Sequence, residues 1–178
     1  ISQVEPKQFQ QCFANWVQDI CQRTDGQLIA IDGKTLKGSW QPGERGSAIH
    51  MVSAFACENS LVLGQVKTDS KSNEISAIPE LLQLLELKGC LVSIDAMGCQ
   101  KAIAEQLISK EADYLLAVKS NQPKLHQALV NAFQDFESIT KEDITKQKAR
   151  LEYRSYQVLD ASVLPQHIKE QWPSVKTV

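Results

Sequence analysis

Two aspartates end apolar, strand-like runs of this sequence, and both runs continue in a similar way. Asp32 follows the letters LIAI, and Asp95 follows the letters LVSI. A glycine comes soon after each acid, at Gly33 and Gly98, and a residue without a side chain lets a ligand come close to the backbone. If the two strands are parallel neighbours, both carboxylates project at the sheet edge where ligands of open α/β sheets bind.

Two carboxylates placed in this way predict a metal site. Carboxylates within a few ångströms repel each other, so one becomes protonated unless a cation lies between them. Hard oxygen ligands favour Mg²⁺ or Mn²⁺, and Mg²⁺ also takes phosphate oxygens of a substrate as ligands, which indicates phosphoryl transfer. Taken singly, an aspartate after a strand is more often a turn-former or a helix cap, and this alternative stays open for Asp32 and for Asp95.

The composition limits what else the chain could be. With 178 residues, of which 43% are hydrophobic and 22% charged, it is long enough for one globular domain with flanking structure. The net charge of −2 predicts no global attraction to nucleic acid, so contacts with DNA must come from local patches. Five cysteines without a C-x-x-C pair and three widely spaced histidines argue against zinc and favour a cytoplasmic protein with reduced thiols.

The ends of the sequence and its apolar runs carry two further expectations. No run approaches the roughly 18 uninterrupted apolar residues of a membrane span, so we expect no membrane partner. The polar start has no signal-peptide core. Because the first residue is Ile1 rather than Met, we interpret the chain as a piece of a longer protein.

The spacing of apolar residues predicts the element order β-β-β-α-β-α-β-α-β. An amphipathic helix near the amino terminus precedes the first strand, 27–32, and residues 33–46 are expected to form a long loop. Strand-like runs at 49–57 and 61–67 are separated by a turn too short for a helix, so they should form an antiparallel hairpin. The polar stretch 137–148 is expected to be loop. The remaining elements alternate, with helices at 74–87, 100–109 and 124–136 and strands at 90–96, 113–119 and 149–159.

Longer strings around these acids follow one another in the order of a known family. They are IAIDGKTLKGS, HMVSAF, LVLGQVKTDSKSNEISAIPELL, IDAMGCQKAIA, DYLLAVKSNQ and RLEYR, and they span about residues 28 to 154. In these strings the chain resembles DDE-type transposases of bacterial insertion sequences, in the branch that includes the H-repeat-associated proteins. The resemblance implies an α/β fold with a ribonuclease H-like mixed sheet, in which a three-stranded antiparallel meander precedes alternating helices and parallel strands. We then expect a helical flank at 1–26, an incomplete catalytic domain at 27–160 and the start of a C-terminal segment at 161–178.

The resemblance also implies roles for the acids. Asp32 and Asp95 would be the first two acids of the DDE triad, holding two Mg²⁺ or Mn²⁺ ions that activate water or a DNA 3′-hydroxyl to attack a phosphodiester. The family's third acid is a glutamate in a string like R-x-H-W-x-I-E-N, which does not occur here, so we expect it beyond Val178. Glu152 is the fallback within the chain, in a string that usually resembles H-G-R-x-E-x-R. Lys148 and Ala149 replace the His and Gly of this string. Because the third acid is expected outside the chain, we expect this fragment to be inactive by itself.

Several polar residues near the matching strings are candidates for contact with DNA, at insertion-element ends or at target DNA. Each has a simpler reading: a solvated loop lysine, a helix cap, a polar turn or a surface charge ladder. The candidates are Lys34, Lys37, Lys71, Asn73, Lys119, Asn121, Arg150, Glu152 and Arg154.

Other functions remain open at this level. A ribonuclease H-like nuclease would cut without joining strands, and a relic would bind DNA without catalysis. A phospho-acceptor signalling domain also places an acid and a lysine at strand ends, as Asp95 and Lys119 are here. The expected hairpin 49–67 argues against that fold, because its strands and helices alternate throughout. The full-length protein could form a homo-oligomer.

Overall fold

The fold is known from a computed structural model, in which the chain divides into two compact units, Ile1–Ala117 and Val118–Val178. The division into a helical flank, a catalytic domain and a C-terminal segment, with boundaries after residues 26 and 160, stays a prediction. Three candidate DNA-binding residues, Lys37, Lys71 and Asn73, lie outside the described residues. The structure describes residues 4–5, 8–9, 11–13, 15–16, 26–36, 39, 49–68, 74–147 and 150–178.

The first unit is built on a five-stranded sheet in the order β3-β2-β1-β4-β5. Pairing is antiparallel between β1 and β2 and between β2 and β3, and parallel between β1 and β4 and between β4 and β5. The predicted α/β fold with a mixed sheet and an antiparallel 49–67 hairpin is therefore confirmed, whereas its ribonuclease H-like character stays a prediction. The strands are β1 (Leu28–Leu36), β2 (Ile49–Ala56), β3 (Leu61–Thr68), β4 (Leu91–Ile94) and β5 (Asp113–Leu116).

Two helices of the first unit, α1 (Glu74–Gln83) and α2 (Lys101–Ser109), bury residues in one core with the sheet. Side chains of Gln106 and Lys110 tie the two helical segments together by donating to the carbonyls of Pro79 (2.9 Å) and Leu85 (2.8 Å). The sheet contributes buried residues at alternate positions, because successive side chains of a strand point to opposite faces. The largest fully buried side chains of this core are Ile29, Val52, Leu81, Leu82, Leu87, Val92, Ile103 and Leu107.

The first strand is longer than the sequence indicates. A loop from residue 33 is wrong for its first four residues, because β1 continues to Leu36 and pairs with β2 as far as the partners Leu36 and Ile49. Gly33 signals a turn by its type, but hydrogen bonding to the neighbouring strand keeps it extended, opposite Val52. Asp32 therefore lies inside β1 and not at its end.

The amino-terminal helix is confirmed for the residues described there, which are helical between 8 and 16. Phe13 packs against the core of the first unit, and its ring centroid lies 5.7 Å from that of Trp16. Phe9 and Trp16 are exposed. In the part of the chain that the structure describes, no helix is both long enough and apolar enough to cross a membrane.

The second unit contains a helix, a two-stranded ribbon and a short helical end. The expectation of loop over 137–148 is wrong, because 139–147 form a strand that pairs antiparallel with the next. Almost every described side chain of this strand is exposed, so no apolar alternation marks it in the sequence. The elements are α3 (Pro123–Asp135), β6 (Ile139–Gln147), β7 (Arg150–Val158), a 3₁₀ turn (Ala161–Val163) and α4 (Gln166–Lys169).

Candidate functional site

The pairing of β1 with β4 brings the two aspartates to neighbouring positions. The strands are parallel, as expected, and Ile31 lies opposite Ile94. Asp32 is the next residue of β1, Asp95 directly follows the last residue of β4, and backbones of paired strands are about 4.7–4.9 Å apart. Both isoleucines are buried, with 4% and 3% of their surface exposed, whereas both aspartates are exposed. The two exposed aspartates thus directly follow a pair of buried residues that are partners on neighbouring strands.

The turn after β4 fixes the Asp95 carboxylate. Its Oδ1 accepts hydrogen bonds from the backbone N–H groups of Met97 (3.0 Å) and Gly98 (3.3 Å). The turn-former alternative for Asp95 is therefore seen in the structure, and it uses only one of the two carboxylate oxygens. The second oxygen makes no hydrogen bond to another described residue and is left for a ligand.

Gly98 brings that turn close to the core. A Cβ atom at this position would lie 2.9 Å from Cδ1 of Ile78 and would also collide with the side chain of Ile94. Contacts under 3.0 Å are essentially absent from real Cβ atoms, so one of these groups would have to move. The glycine is required here because the turn lies close to α1 and β4. This close approach also sets the position of the Gly98 N–H, which donates to Asp95.

Asp32 has a different environment. Within the described ranges its carboxylate makes neither a hydrogen bond nor an ion pair. Ser53 on β2 is its direct partner in the antiparallel pairing, and Gln65 on β3 is the partner of Ser53. Lys34 is exposed two residues further along β1, on the same face as Asp32. Asp32 is therefore an available anionic ligand beside a cation.

The donor set suits a hard divalent ion but is not a complete cage. Asp32 and Asp95 offer carboxylate oxygens, the ligand type that Mg²⁺ and Mn²⁺ prefer. Among the residues that the structure describes, no group of three or more His, Cys, Asp or Glu could hold a metal ion. Mg²⁺ is usually held by only one or two protein carboxylates, with waters and substrate phosphate oxygens completing its shell. The two acids fit that arrangement.

The remaining described candidates belong to the second unit. Lys119 and Asn121 are exposed in the turn between β5 and α3. On β7, Nη2 of Arg154 donates to Oε2 of Glu152 at 2.7 Å, and both side chains are well exposed. Arg150 occupies the same strand, at its first residue. Glu152 and Arg154 thus form the part of the predicted charge ladder that the structure describes, and Glu152 is paired with a cation.

Three residues that sequence reasoning missed share the face of Asp32. Ser53, Gln65 and Lys67 lie on β2 and β3, at alternate positions of the strands. Their types alone give no signal, because polar residues are usual on the exposed side of a strand. The register of the meander was the missing information, since it decides which side chains lie beside Asp32.

Comparison with known proteins gives a consistent family. Residues 23–172 match the family model described as "Transposase DDE domain". The chain is 59% identical over 133 residues to "Putative transposase YncI" of Escherichia coli O157:H7, covering 75% of this chain and 34% of that protein. It is 50% identical over 133 residues to "H repeat-associated putative transposase YhhI" of Escherichia coli K12, covering 75% of this chain and 35% of the relative.

More distant similarities extend over more of the chain. An "Uncharacterized protein in dhlA 3'region" of Xanthobacter autotrophicus is 38% identical over 186 residues, covering 99% of this chain and 61% of that protein. Among solved structures, the "Cryo-EM structure of piggyBac transposase synaptic complex with hairpin DNA (SNHP)" matches 86% of this chain and 39% of the solved chain. Its TM-score is 0.44, with 14% identity. The chain spans about a third of the length of the first of the curated relatives.

Proposed function

Because the chain belongs to the DDE transposase family, we propose that it is part of a catalytic domain that cleaves DNA phosphodiesters and transfers strands at insertion-element ends. The observation that carries the proposal is the parallel pairing of Ile31 with Ile94, the residues that directly precede Asp32 and Asp95. The proposal includes a ribonuclease H-like fold for the sheet. The strand order β3-β2-β1-β4-β5, with a meander at one side and parallel strands at the other, supports that assignment.

Enzymes of the DDE family generally use divalent metal ions, and the two aspartates would hold two Mg²⁺ or Mn²⁺ ions here. When bound, such ions stabilise the charge on the attacking and leaving oxygens of an in-line displacement. The protein contributes orientation. Ile31 and Ile94 anchor the backbone in the core, and the N–H groups of Met97 and Gly98 hold one oxygen of Asp95 so that the other faces the ligand.

The third acid remains a proposal. We place it beyond Val178, with Glu152 as the fallback inside the chain. The ion pair with Arg154 argues against the fallback, because a cation at 2.7 Å competes with a metal ion for the same carboxylate. With two acids only, the chain should bind Mn²⁺ weakly and should not transpose by itself, so tight stoichiometric binding would contradict this part of the proposal.

DNA is the proposed partner, both as element ends and as target. The side chains assigned to it are those of the sequence prediction, of which Lys34, Lys119, Asn121 and Arg154 are exposed in the structure. We also keep the expectations of a cytoplasmic location and of a full-length protein that could form a homo-oligomer.

Metal binding tests the site on the 178-residue chain. Because paramagnetic Mn²⁺ broadens NMR signals of nearby amides even when it binds weakly, signals next to residues 32 and 95 should disappear first. Asp32→Asn and Asp95→Asn should each abolish this selective broadening. Asp113→Asn is the matched control, since Asp113 is exposed at the opposite, amino-terminal end of the parallel strands. Equal broadening in all three variants would remove the metal site from the proposal.

Strand transfer requires the longer protein and a DNA end. With Mg²⁺, the wild-type protein should join a 3′-hydroxyl end to a second duplex, and Asp95→Asn should abolish cleavage and joining together. Release of 3′-hydroxyl ends without joining would instead indicate a nuclease, and DNA binding with no cleavage would indicate a relic.

A further inference from the structure

The face of the sheet that carries Asp32 continues over the meander with two rows of mainly polar residues. Asp32, Ser53 and Gln65 form one row across β1, β2 and β3, as direct partners in the register. The next row on this face, towards the carboxyl end of β1, contains Lys34, Met51 and Lys67. We call the four polar neighbours of Asp32 on this surface, Lys34, Ser53, Gln65 and Lys67, the meander face.

The two lysines of the meander face are placed to bind one DNA strand. Both are exposed, and two strand spacings of about 4.8 Å put their backbones about 10 Å apart. Lys34 is two residues from Asp32, which is about 7 Å along an extended strand. Both distances are within the Debye length of about 10 Å at 0.1 M salt, so the charges act together on a phosphate backbone.

The polar row between the acid and the lysines is already partly ordered. Nε2 of Gln65 donates to Oγ of Ser53 at 3.0 Å. This bond occupies an acceptor position on the serine hydroxyl and leaves its hydrogen to donate. The half-buried Ser53 lies directly opposite Asp32, so a phosphate oxygen approaching the acid meets a hydroxyl donor.

The lysines of the meander face offset the repulsion between the acidic site and DNA. Two exposed carboxylates repel a polyanion, and the chain as a whole has a net charge of −2. We propose that the meander face binds the phosphate backbone of the DNA strand whose neighbouring phosphodiester lies at Asp32 and Asp95, with Lys67 as its outer contact. The inference rests on the proposed function, and it adds a direction for the strand, from the acids across β2 towards β3.

The test is DNA binding as a function of salt. The probe is a fluorescein-labelled duplex of arbitrary sequence, because phosphate contacts carry no sequence information. It is titrated with the 178-residue chain in EDTA at 50–200 mM salt. Loss of one phosphate contact in Lys67→Gln should reduce the slope of log K against log salt by about 0.9. Lys67→Arg should keep the wild-type slope, because it keeps the charge.

Lys88→Gln is the matched control. Lys88 is exposed before the amino end of β4, pairs with Glu111 at 2.8 Å and carries the same charge as Lys67. It should leave the slope unchanged. A wild-type slope in Lys67→Gln, an equal loss in Lys88→Gln, or no salt-dependent binding by the wild-type chain would each overturn the inference.

A second readout separates this inference from the proposed function. Selective Mn²⁺ broadening at residues 32 and 95 should be the same in Lys67→Gln and in the wild-type chain. If broadening is present and the slope does not change in Lys67→Gln, the meander face fails and the metal site stands. If broadening is absent from the wild-type chain and the slope still falls in Lys67→Gln, the metal site fails and the DNA-binding face stands.

Discussion

Ile31 and Ile94 are partners in the parallel pairing of β1 with β4, and both are buried under the helices of the first unit. Because side chains alternate along a strand, a slip of one residue in either strand would turn its isoleucine to solvent and its aspartate into the core. The free energy of burying these two side chains therefore also fixes the register of the two strands, and with it the relative position of Asp32 and Asp95. The position of the site follows from the packing of the core beneath it.

Truncation of Ile94 should weaken the fold. Its side chain is 3% exposed, so Ile94→Ala should lower the free energy of unfolding by about 2–5 kcal/mol, through lost burial and a cavity. Leu115→Ala on the neighbouring strand is the control, because Leu115 is 58% exposed and its truncation should change stability by less than about 0.5 kcal/mol. Urea unfolding measures both. Equal losses in the two variants would mean that the sheet is not buried on the isoleucine face.

Two substitutions at Asp95 test whether one of its carboxylate oxygens stabilises the turn by accepting hydrogen bonds. Asp95→Asn keeps an oxygen that can accept from Met97 and Gly98, so stability should stay near that of the wild-type chain. Asp95→Ala removes the acceptor, which should cost about 0.5–1.5 kcal/mol and speed hydrogen exchange of these two amides. Asp32→Ala should not change their exchange, because Asp32 accepts no hydrogen bond from a described residue. Similar exchange in all variants would contradict the assigned turn.

Gly98 should tolerate a methyl group less well than Gly64. Gly98→Ala forces a contact of 2.9 Å with Ile78 and a collision with Ile94, so overpacking should cost about 1–3 kcal/mol and shift the turn that holds Asp95. Gly64→Ala is the control, because its Cβ would meet only flexible leucine tips, at 3.2 Å from Cδ1 of Leu81. Urea unfolding gives the cost, and Mn²⁺ broadening reports the shift. A larger loss in Gly64→Ala would refute the argument from close approach.

Much of the first unit could be predicted because its elements have buried faces. The apolar runs before Asp32 and Asp95 sit in β1 and β4, and the short turn at 57–60 joins an antiparallel pair. A strand whose alternate residues enter a core must show that alternation in its letters. The element order and the meeting of the two acids followed from these patterns.

The missed features depend on pairing and not on burial. Residues 33–36 extend β1 because β2 runs beside them, which the local sequence does not show. The sequence predicts loop for β6 because a ribbon exposed on both faces has no apolar period, and Ile139 and Ile144 are exposed at 78% and 59%. The meander face has a different cause: Lys67 shares a row with Lys34 only through the register of three strands, which the local sequence does not show.

Alkaline pH should destabilise the first unit through groups beside its parallel strands. Cys99 is fully buried, and burial raises the pKa of its thiol from 9.0 to about 11. Burial, and secondly the charge of Cys99, raises the pKa of the Tyr114 hydroxyl from 10.0 to about 12. Above pH 9 the unfolded chain therefore loses protons that the folded chain keeps, so the free energy of unfolding should fall as pH rises.

Cys99→Ala isolates the thiol's share of this dependence. At pH 7 the thiol is protonated in both states, so the difference in stability between the variant and the wild-type chain at this pH does not include thiol ionisation and serves as the baseline. Between about pH 9 and pH 11 the free energy of unfolding should then fall less steeply in the variant, because the folded chain no longer holds back a thiol proton. Urea unfolding at pH 7, 9, 10 and 11 measures the two slopes. Parallel slopes over that range would show that Cys99 ionises alike in the folded and unfolded chains and is not enclosed by the core.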